Sequence, residues 1–399
     1  MNALKQKELV DVSVDVSWKK NEITHKEHFF AKEMNLYRDI FPGSLLENVK
    51  PLKTGETISI ALDPGRLVPD YRREKQFILK KTQVRPRNKK EILNKGRFYP
   101  QGWLSGIPGI FRENINPFRC IEVDDQKVVA DLNHPLAGIP IQISFTADQK
   151  QAKHSEMGGT CTEWLDMILS GPGMQSRCNG SQTDFFSEDA FHREDNTPDS
   201  VFYTRDRFVH HIDDAARHHL KEIYKEKLKP GYRVLDLMAG WESHLPENPG
   251  LASVHGIGLN AGELSANTRL TSYSVQDLNL DPLLKFKADS FDAVICSLSV
   301  EYLTDPVKVF KEVGRVLKPG KPFAVSFSNR WFPTKSISVW KDIHEFERTG
   351  LVLEYFLKAG GYSNLETRSI RGYPRPESDK YAGTMLLSDP VYAVMGQKN

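Results

Sequence analysis

Asp236 lies at the end of the short apolar run YRVLDL, and Gly240 follows in the turn Met238-Ala239-Gly240-Trp241. A carboxylate at the carboxyl end of a strand can hold an amino group or an ordered water of a nucleoside ligand. A glycine in the next turn lets backbone N–H groups approach that ligand, because it has no Cβ. Two histidine pairs, His210-His211 and His218-His219, raise the question of a metal. Read on one helix, they lack Cys or carboxylate partners at ligand spacing, so no metal is expected. His134, alone in its loop, is expected to order that loop.

These residues need a scaffold, and after about Ser200 the pattern supplies one. IDDAARHHLKEIYKEKL places Ile212, Ala216, Leu220, Ile223 and Leu228 on one helical face, and Pro230-Gly231 ends it. YRVLDLM, SVHGIGL, FDAVICSL and PFAVSFS are short apolar runs of the kind buried on both faces of a parallel sheet. DPVKVFKEVGRVLKPG and SISVWKDIHEFERTGLVLEYFLKAGG read as helices; NLETRSI and PVYAVMGQ read as the last strands. Such alternation predicts an α/β doubly wound, Rossmann-like sheet over 201–399.

Residues 1–150 read differently. DVSVDVSW, TGETISIAL, CIEVDD, KVVADL and IPIQISF alternate polar and apolar residues between Gly, Pro and Asn-Asp turns, which predicts a small antiparallel β domain. Eleven basic and two acidic residues fall between Arg72 and Arg97. Without an aromatic-interleaved RNA motif, this run reads as a solvated basic insert, not a nucleic-acid patch. Residues 151–200 turn rich in Gly, Ser, Asp and Asn, yet hold Trp164, Phe185, Phe186 and Phe191. They read as an ordered linker packing on the second domain, with one short helix in EWLDMIL.

The chain has 399 residues, a net charge of +2 and 39 % hydrophobic residues, a balance for two or three globular domains. No apolar stretch suits a membrane span and no export signal precedes the first strand. Four scattered cysteines read as reduced thiols, so a cytoplasmic protein is expected.

The order VLDLMAG, VHGIGLN, VQDLN, FDAVICSLSVEYL and VFKEVGRVLKPGKPFAVSFSN resembles the class I S-adenosylmethionine-dependent methyltransferases from Tyr232 to Asn329. LDLMAGWESHLP and SNRWFPTKSISVW further resemble a subgroup whose first loop reads Trp-x-Ser-His. The resemblance implies S-adenosylmethionine as cofactor, with Asp236 and Gly240 at the first loop. It implies Asp277 and Leu278 beside the adenine and Ser297 near the methyl donor, and the entry segment with Tyr203 and Arg207 folding over the cofactor. Two departures stand out. Met238 and Glu242 replace two of the usual three glycines. Gly258 replaces the acid that would hold the ribose hydroxyls, leaving Asn260 or Glu263 as substitutes. Candidates for a general base are His211, His244 and Tyr302; substrate contacts are expected from Asn329, Arg330 and Lys335, just past the fifth strand.

In the first part, FPGSLLENVKPLKTGETISIAL and the Asn-His-Pro-Leu-Ala-Gly piece of KVVADLNHPLAGIPIQISF resemble an FKBP domain of the SlyD type, with a flap insert at about 72–131. That implies an α+β fold and prolyl isomerisation in an apolar pocket. The family's Phe-Asp-Ser stretch has no counterpart here, and Leu46 stands where an aromatic floor residue is expected. Trp18, Phe41, Tyr71 and Phe145 are left as walls, which favours peptide binding or scaffolding over isomerisation. The reading is methyl transfer to a small-molecule or peptide acceptor, with the first domain covering the site or recruiting substrate. The alternatives are an isomerase or chaperone with a degenerate methyltransferase-like domain, and a non-enzymatic module of two degenerate domains.

Overall fold

The structure is a computed structural model that describes residues 8–36, 38–87, 92–152 and 160–399. Lys89, Lys90 and Glu91 of the basic run, the start of the linker and the Leu46 side chain lie outside what is described.

The chain begins with a long hairpin, β1 (Glu8–Lys20) and β2 (Ile23–Asn35). Asn21 and Glu22 both take positive φ at its tip, the geometry that matches strand twist in a two-residue turn. Val10, Val12, Val14, Val16 and Trp18 put the buried face of β1 into a core with Phe29, Phe41 and Phe145. Helix α1 (Gly43–Val49) and strand β3 (Thr57–Leu62) follow. The insert is a separate four-stranded sheet of β4 (Gln76–Lys80), β5 (Phe98–Pro100), β6 (Pro117–Val123) and β7 (Lys127–Asp131), with its own core around Trp103 and Phe118. Strand β8 (Ile141–Ala152) returns to β1, and α2 (Trp164–Leu169) packs on the first core.

The second part opens with α3 (Asp199–Phe202) and α4 (Asp214–Lys227), whose N-cap Asp213 accepts from the Ala216 N–H. It continues through β9 (Arg233–Leu237), β10 (Ser253–Gly258), α5 (Ala261–Ala266), β11 (Ser272–Val275) and β12 (Ala293–Ser297). Then come α6 (Pro306–Val316), β13 (Pro322–Phe327), α7 (Ser338–Asp342), α8 (Glu345–Ala359), β14 (Tyr362–Arg371) and β15 (Val391–Lys398). The single long helix expected over SISVWKDIHEFERTGLVLEYFLKAGG is two. His344 ends the first path by capping α8: its Nδ1 accepts from the Phe346 N–H, while the Glu347 carboxylate accepts from the His344 N–H.

Among the described residues the strands outside the insert form one sheet, in the order β11-β10-β9-β12-β13-β15-β14-β2-β1-β8-β3. The first five run parallel and β15 is antiparallel to both its neighbours. Residues alternate faces along each strand. Val234 and Ile295 therefore pack against α4, while Leu235, Val294 and Cys296 join a core with α6 and α8. The chain adds β10 and β11 on one side of β9 and the parallel β12 and β13 on the other, and this switch opens a crevice at the carboxyl ends of β9 and β12.

The first part does not sit apart from this sheet: β2 pairs in parallel with β14, from Glu366↔Thr24 to Arg371↔Phe29. The linker seals the junction. His25 Nδ1 meets Thr367 Oγ1 at 2.7 Å, Ser176 Oγ meets His25 Nε2 at 3.2 Å, and Glu27 accepts from Gln175 and from Ser369. The insert docks on the end of α7 and the start of α8, where Arg97 donates to the Asp342 carbonyl and Glu347 accepts from the Phe98 N–H. Arg97 is thus buried and leaves the solvated basic run. Trp18, Phe41 and Phe145, expected as pocket walls, are core residues, whereas Tyr71 is exposed. His134 orders its loop, accepting from the Leu136 N–H and meeting the Leu169 carbonyl.

Candidate functional site

A cleft of about 500 Å³ lies at the carboxyl ends of β9, β10, β11 and β12. Two non-glycine residues with positive φ, Met238 after β9 and Leu298 after β12, turn the chain there. Each left-handed residue costs about 1–2 kcal/mol, strain of the kind concentrated at functional turns. Gly258 ends β10 under the first loop. A Cβ at Gly258 would lie 2.1 Å from the Ala239 carbonyl oxygen, and the Ala239 N–H donates to Ile257 at 2.7 Å. The loop backbone therefore fills the space where an acidic side chain would start. Glu263 stands opposite instead: Asn260 caps α5 by accepting from the Glu263 N–H, and Glu263 Oε2 lies 3.1 Å from a Cβ built on Gly240.

The segment 203–210 straps across this rim. Asn260 donates to the Tyr203 carbonyl, Glu263 accepts from the Arg207 N–H, Trp241 Nε1 donates to the Val209 carbonyl, and His210 Nδ1 meets Glu242 at 2.8 Å. On the far side, the loop after β13 is pinned by the Phe332 N–H donating to the Tyr302 hydroxyl.

Tyr203, Gly240, Asn260, Asp277, Leu278, Ser297, His211, His244, Tyr302, Asn329 and Arg330 all line the cleft. Three expected residues do not. Asp236 is buried beneath the loop, where its carboxylate accepts from Ser243 Oγ at 2.6 Å; Asn267 ties that hydroxyl to the Gly240 carbonyl. Its side chain ties down the loop from below and does not line the cleft. Arg207 stacks among Phe202, Tyr203 and Phe332. Lys335 is fully buried and clamps the linker through Asp195, Thr197 and Asp199. A cation just past a strand end looks like a substrate ligand in sequence; only the fold shows it facing inward. His210 and His211 precede α4 rather than lying on it. Among the described residues no group of three or more His, Cys, Asp or Glu side chains is placed to hold a metal, and no helix is long and apolar enough to cross a membrane. Sequence reasoning missed Lys380 and Tyr381, which reach the cleft from the segment between β14 and β15. No periodicity marks that segment.

Burial sets the protonation states. It raises Asp236 to about 7 against the pull of the Ser243 hydrogen bond. It lowers His244 to about 4, leaving a neutral imidazole whose Nδ1 has no partner among the described residues. His211 is lowered by burial and then by Arg207, Lys380 and His210. Burial pushes the Tyr302 phenol well above its ordinary value.

A family model described as methyltransferase domain matches residues 238–325. Over those residues the chain is similar to a methyltransferase domain. It is 32 % identical over 108 residues to ubiquinone biosynthesis O-methyltransferase of Hahella chejuensis, covering 25 % of this chain and 45 % of that protein. It is 34 % identical over 106 residues to cycloartenol-C-24-methyltransferase 1 of Oryza sativa subsp. japonica, covering 25 % and 31 %. The chain thus spans less than half the length of these curated relatives. A solved methyltransferase from Archaeoglobus fulgidus covers 46 % of this chain and 94 % of its own, with 15 % identity and a TM-score of 0.33. The family model and the curated methyltransferases support S-adenosylmethionine as the cofactor.

Proposed function

We propose that the protein transfers a methyl group from S-adenosylmethionine to an acceptor held between the strap, the loop after β13 and the segment before β15. The observation that carries this reading is the cleft at the switch point of the sheet, formed by the first loop, Asn260, Glu263 and Asp277-Leu278. These residues fit the cofactor. Asp277 and Leu278 offer a carboxylate and an apolar face for the adenine. Glu263 and Asn260 take over the ribose hydroxyls that the missing acid at Gly258 would have held. The backbone of Met238 to Trp241 receives the amino-acid end.

When bound, the cofactor supplies an electrophilic methyl on a sulfonium. The chain's own work is alignment and exclusion of water, which can supply roughly 7–11 kcal/mol of the barrier. Strap residues 203–210 close one side of the cleft, and Trp331 and Phe332 close the other. For a protonated nucleophile, His211 is the better base: it is neutral and opens to the cleft. His244, near 4, is too weak a base at neutral pH. The Tyr302 hydroxyl, engaged by the Phe332 N–H, is a positioning group.

The buried Trp18, Phe41 and Phe145 favour a bracing role for the FKBP-like part over isomerisation. Calorimetric titration with S-adenosylmethionine and S-adenosylhomocysteine tests the reading. Micromolar binding supports it; no heat up to millimolar ligand overturns it and makes proline-peptide isomerisation the activity to assay.

A further inference from the structure

The acceptor half of the cleft carries unequal charge. Every carboxylate lining the cleft already has partners. Asp199 is held by Arg193 at 2.7 Å and Lys335 at 3.3 Å; Glu242 by Arg217 at 2.9 Å and by His210. Glu263 accepts from the Arg207 N–H and Asp277 from the Asn279 N–H, both at the cofactor end.

The cations of the acceptor half are not matched in this way. Lys380 Nζ has no ion-pair partner among the described residues and rests 5.0 Å from the Tyr381 ring centre. The Arg330 guanidinium lies 4.6 Å from the same ring. Its one acid, Asp389, is 3.9 Å away and is taken by Arg375 at 2.7 Å. The neighbouring His211 is held neutral by burial, by Arg207 and by Lys380, and its ring stands edge-on to Phe332 at 5.5 Å. Arg375 also fixes the segment bearing Lys380, through Asp379 and Asp213, so the two cations are presented by an anchored loop. Asn329 Oδ1, buried without a partner among the described residues, lies in the same wall of the cleft.

We infer that the methyl acceptor is a flat molecule bearing an anionic group, a carboxylate or a phosphate, which Arg330 and Lys380 receive while its body lies against Tyr381, Phe332 and His211. This inference rests on the methyl-transfer reading. Two cations whose nearest acids, Asp389 and Asp379, are already held by Arg375 raise the local concentration of an anion and would repel a cationic amine. Tyr381 supplies the planar surface on which both cations already rest.

The probes are matched pairs: benzoate against benzamide, and phenyl phosphate against phenol. Binding is measured by calorimetry or ligand-observed NMR, with and without saturating S-adenosylhomocysteine. At least one anionic member is expected to bind ten-fold or more tightly than its neutral partner, and the two arms show whether carboxylate or phosphate is preferred. The double variant R330Q/K380Q is expected to abolish that preference while changing the affinity for S-adenosylhomocysteine less than two-fold. Equal or absent binding of both anions, or a preference that survives in the double variant, overturns the inference. Loss of S-adenosylhomocysteine binding by the unaltered protein overturns the cofactor reading instead, so the two failures are told apart. Retained S-adenosylhomocysteine affinity also shows that the double variant is folded.

Discussion

Asp236 shows how a residue can be right in place and different in task. Its position at the end of β9 was legible from YRVLDL, but its facing was not, because Ser243 and Asn267 reach it only through the folded loop. If Asp236 holds the loop by accepting from Ser243, Asp236→Asn keeps an acceptor and Asp236→Ala does not. Losing one buried hydrogen bond is worth about 1–2 kcal/mol. The expected outcome in calorimetry is a roughly ten-fold loss of S-adenosylhomocysteine affinity in the alanine variant and under three-fold in the asparagine variant. Equal losses would return Asp236 to direct contact. Glu301 makes a second case. It is fully buried, neither carboxylate oxygen has a partner among the described residues, and burial raises it to about 8. The unfolded chain ionises it at its ordinary value of 4.5, so its burial costs stability as pH rises from 4.5 to 8 and no further above that. Glu301→Gln should therefore gain on the order of 2–4 kcal/mol at pH 8 and little at pH 4.5. Urea midpoints at the two pH values check this, and a pH-independent difference would refute it.

At the scale of elements, the sequence spoke clearly wherever one element buries both faces. The β9, β10, β12 and β13 strands were legible because helices cover the sheet on each side, so their apolar runs are unbroken. The break between α7 and α8 was not, since Ile343 keeps the apolar rhythm and only the His344 cap interrupts the helix. Gly258 lay between these extremes. Its sequence announces a missing acid, but not that the Ala239 carbonyl has taken its place. Restoring the family's acid therefore should not restore a ribose contact. In Gly258→Ala and Gly258→Asp alike, the new Cβ must push the first loop away, at a cost of about 1–3 kcal/mol. Both variants should lose S-adenosylhomocysteine binding at least ten-fold and melt several degrees lower, by differential scanning calorimetry. A Gly258→Asp protein that binds more tightly than the unaltered chain would show that the loop yields and that the acid still has room.

For the whole molecule, the decisive contact joins strands more than three hundred residues apart, β2 and β14, and no local pattern could announce it. Both are half-buried strands with ordinary alternation, and each could have ended its own sheet. Their pairing turns two folding units into one sheet and leaves polar side chains inside the seam. At neutral pH the seam's two most deeply buried titratable members are uncharged: burial holds Glu27 up to about 8 and His25 down to about 3. Such a pair is most stable while it stays neutral, because an ion there would lack water. For His25 the folded value is depressed below the ordinary 6.5, so its neutral form contributes fully above 6.5 and is undercut as pH falls towards 3. His25→Gln keeps polar atoms for Thr367 and Ser176 but cannot take up a proton. Relative to the unaltered chain, it should be slightly less stable at pH 7 and should gain about 3 kcal/mol on going to pH 4. Hydrogen exchange followed by mass spectrometry reads this at the seam itself, since β2 and β14 must open together if they share one sheet. Protection of peptides spanning 23–35 and 362–371 should fall in step with acid in the unaltered chain and stay level in His25→Gln. If the two peptides lose protection at different pH values, the strands open independently and the sheet is not the cooperative unit its hydrogen bonds describe.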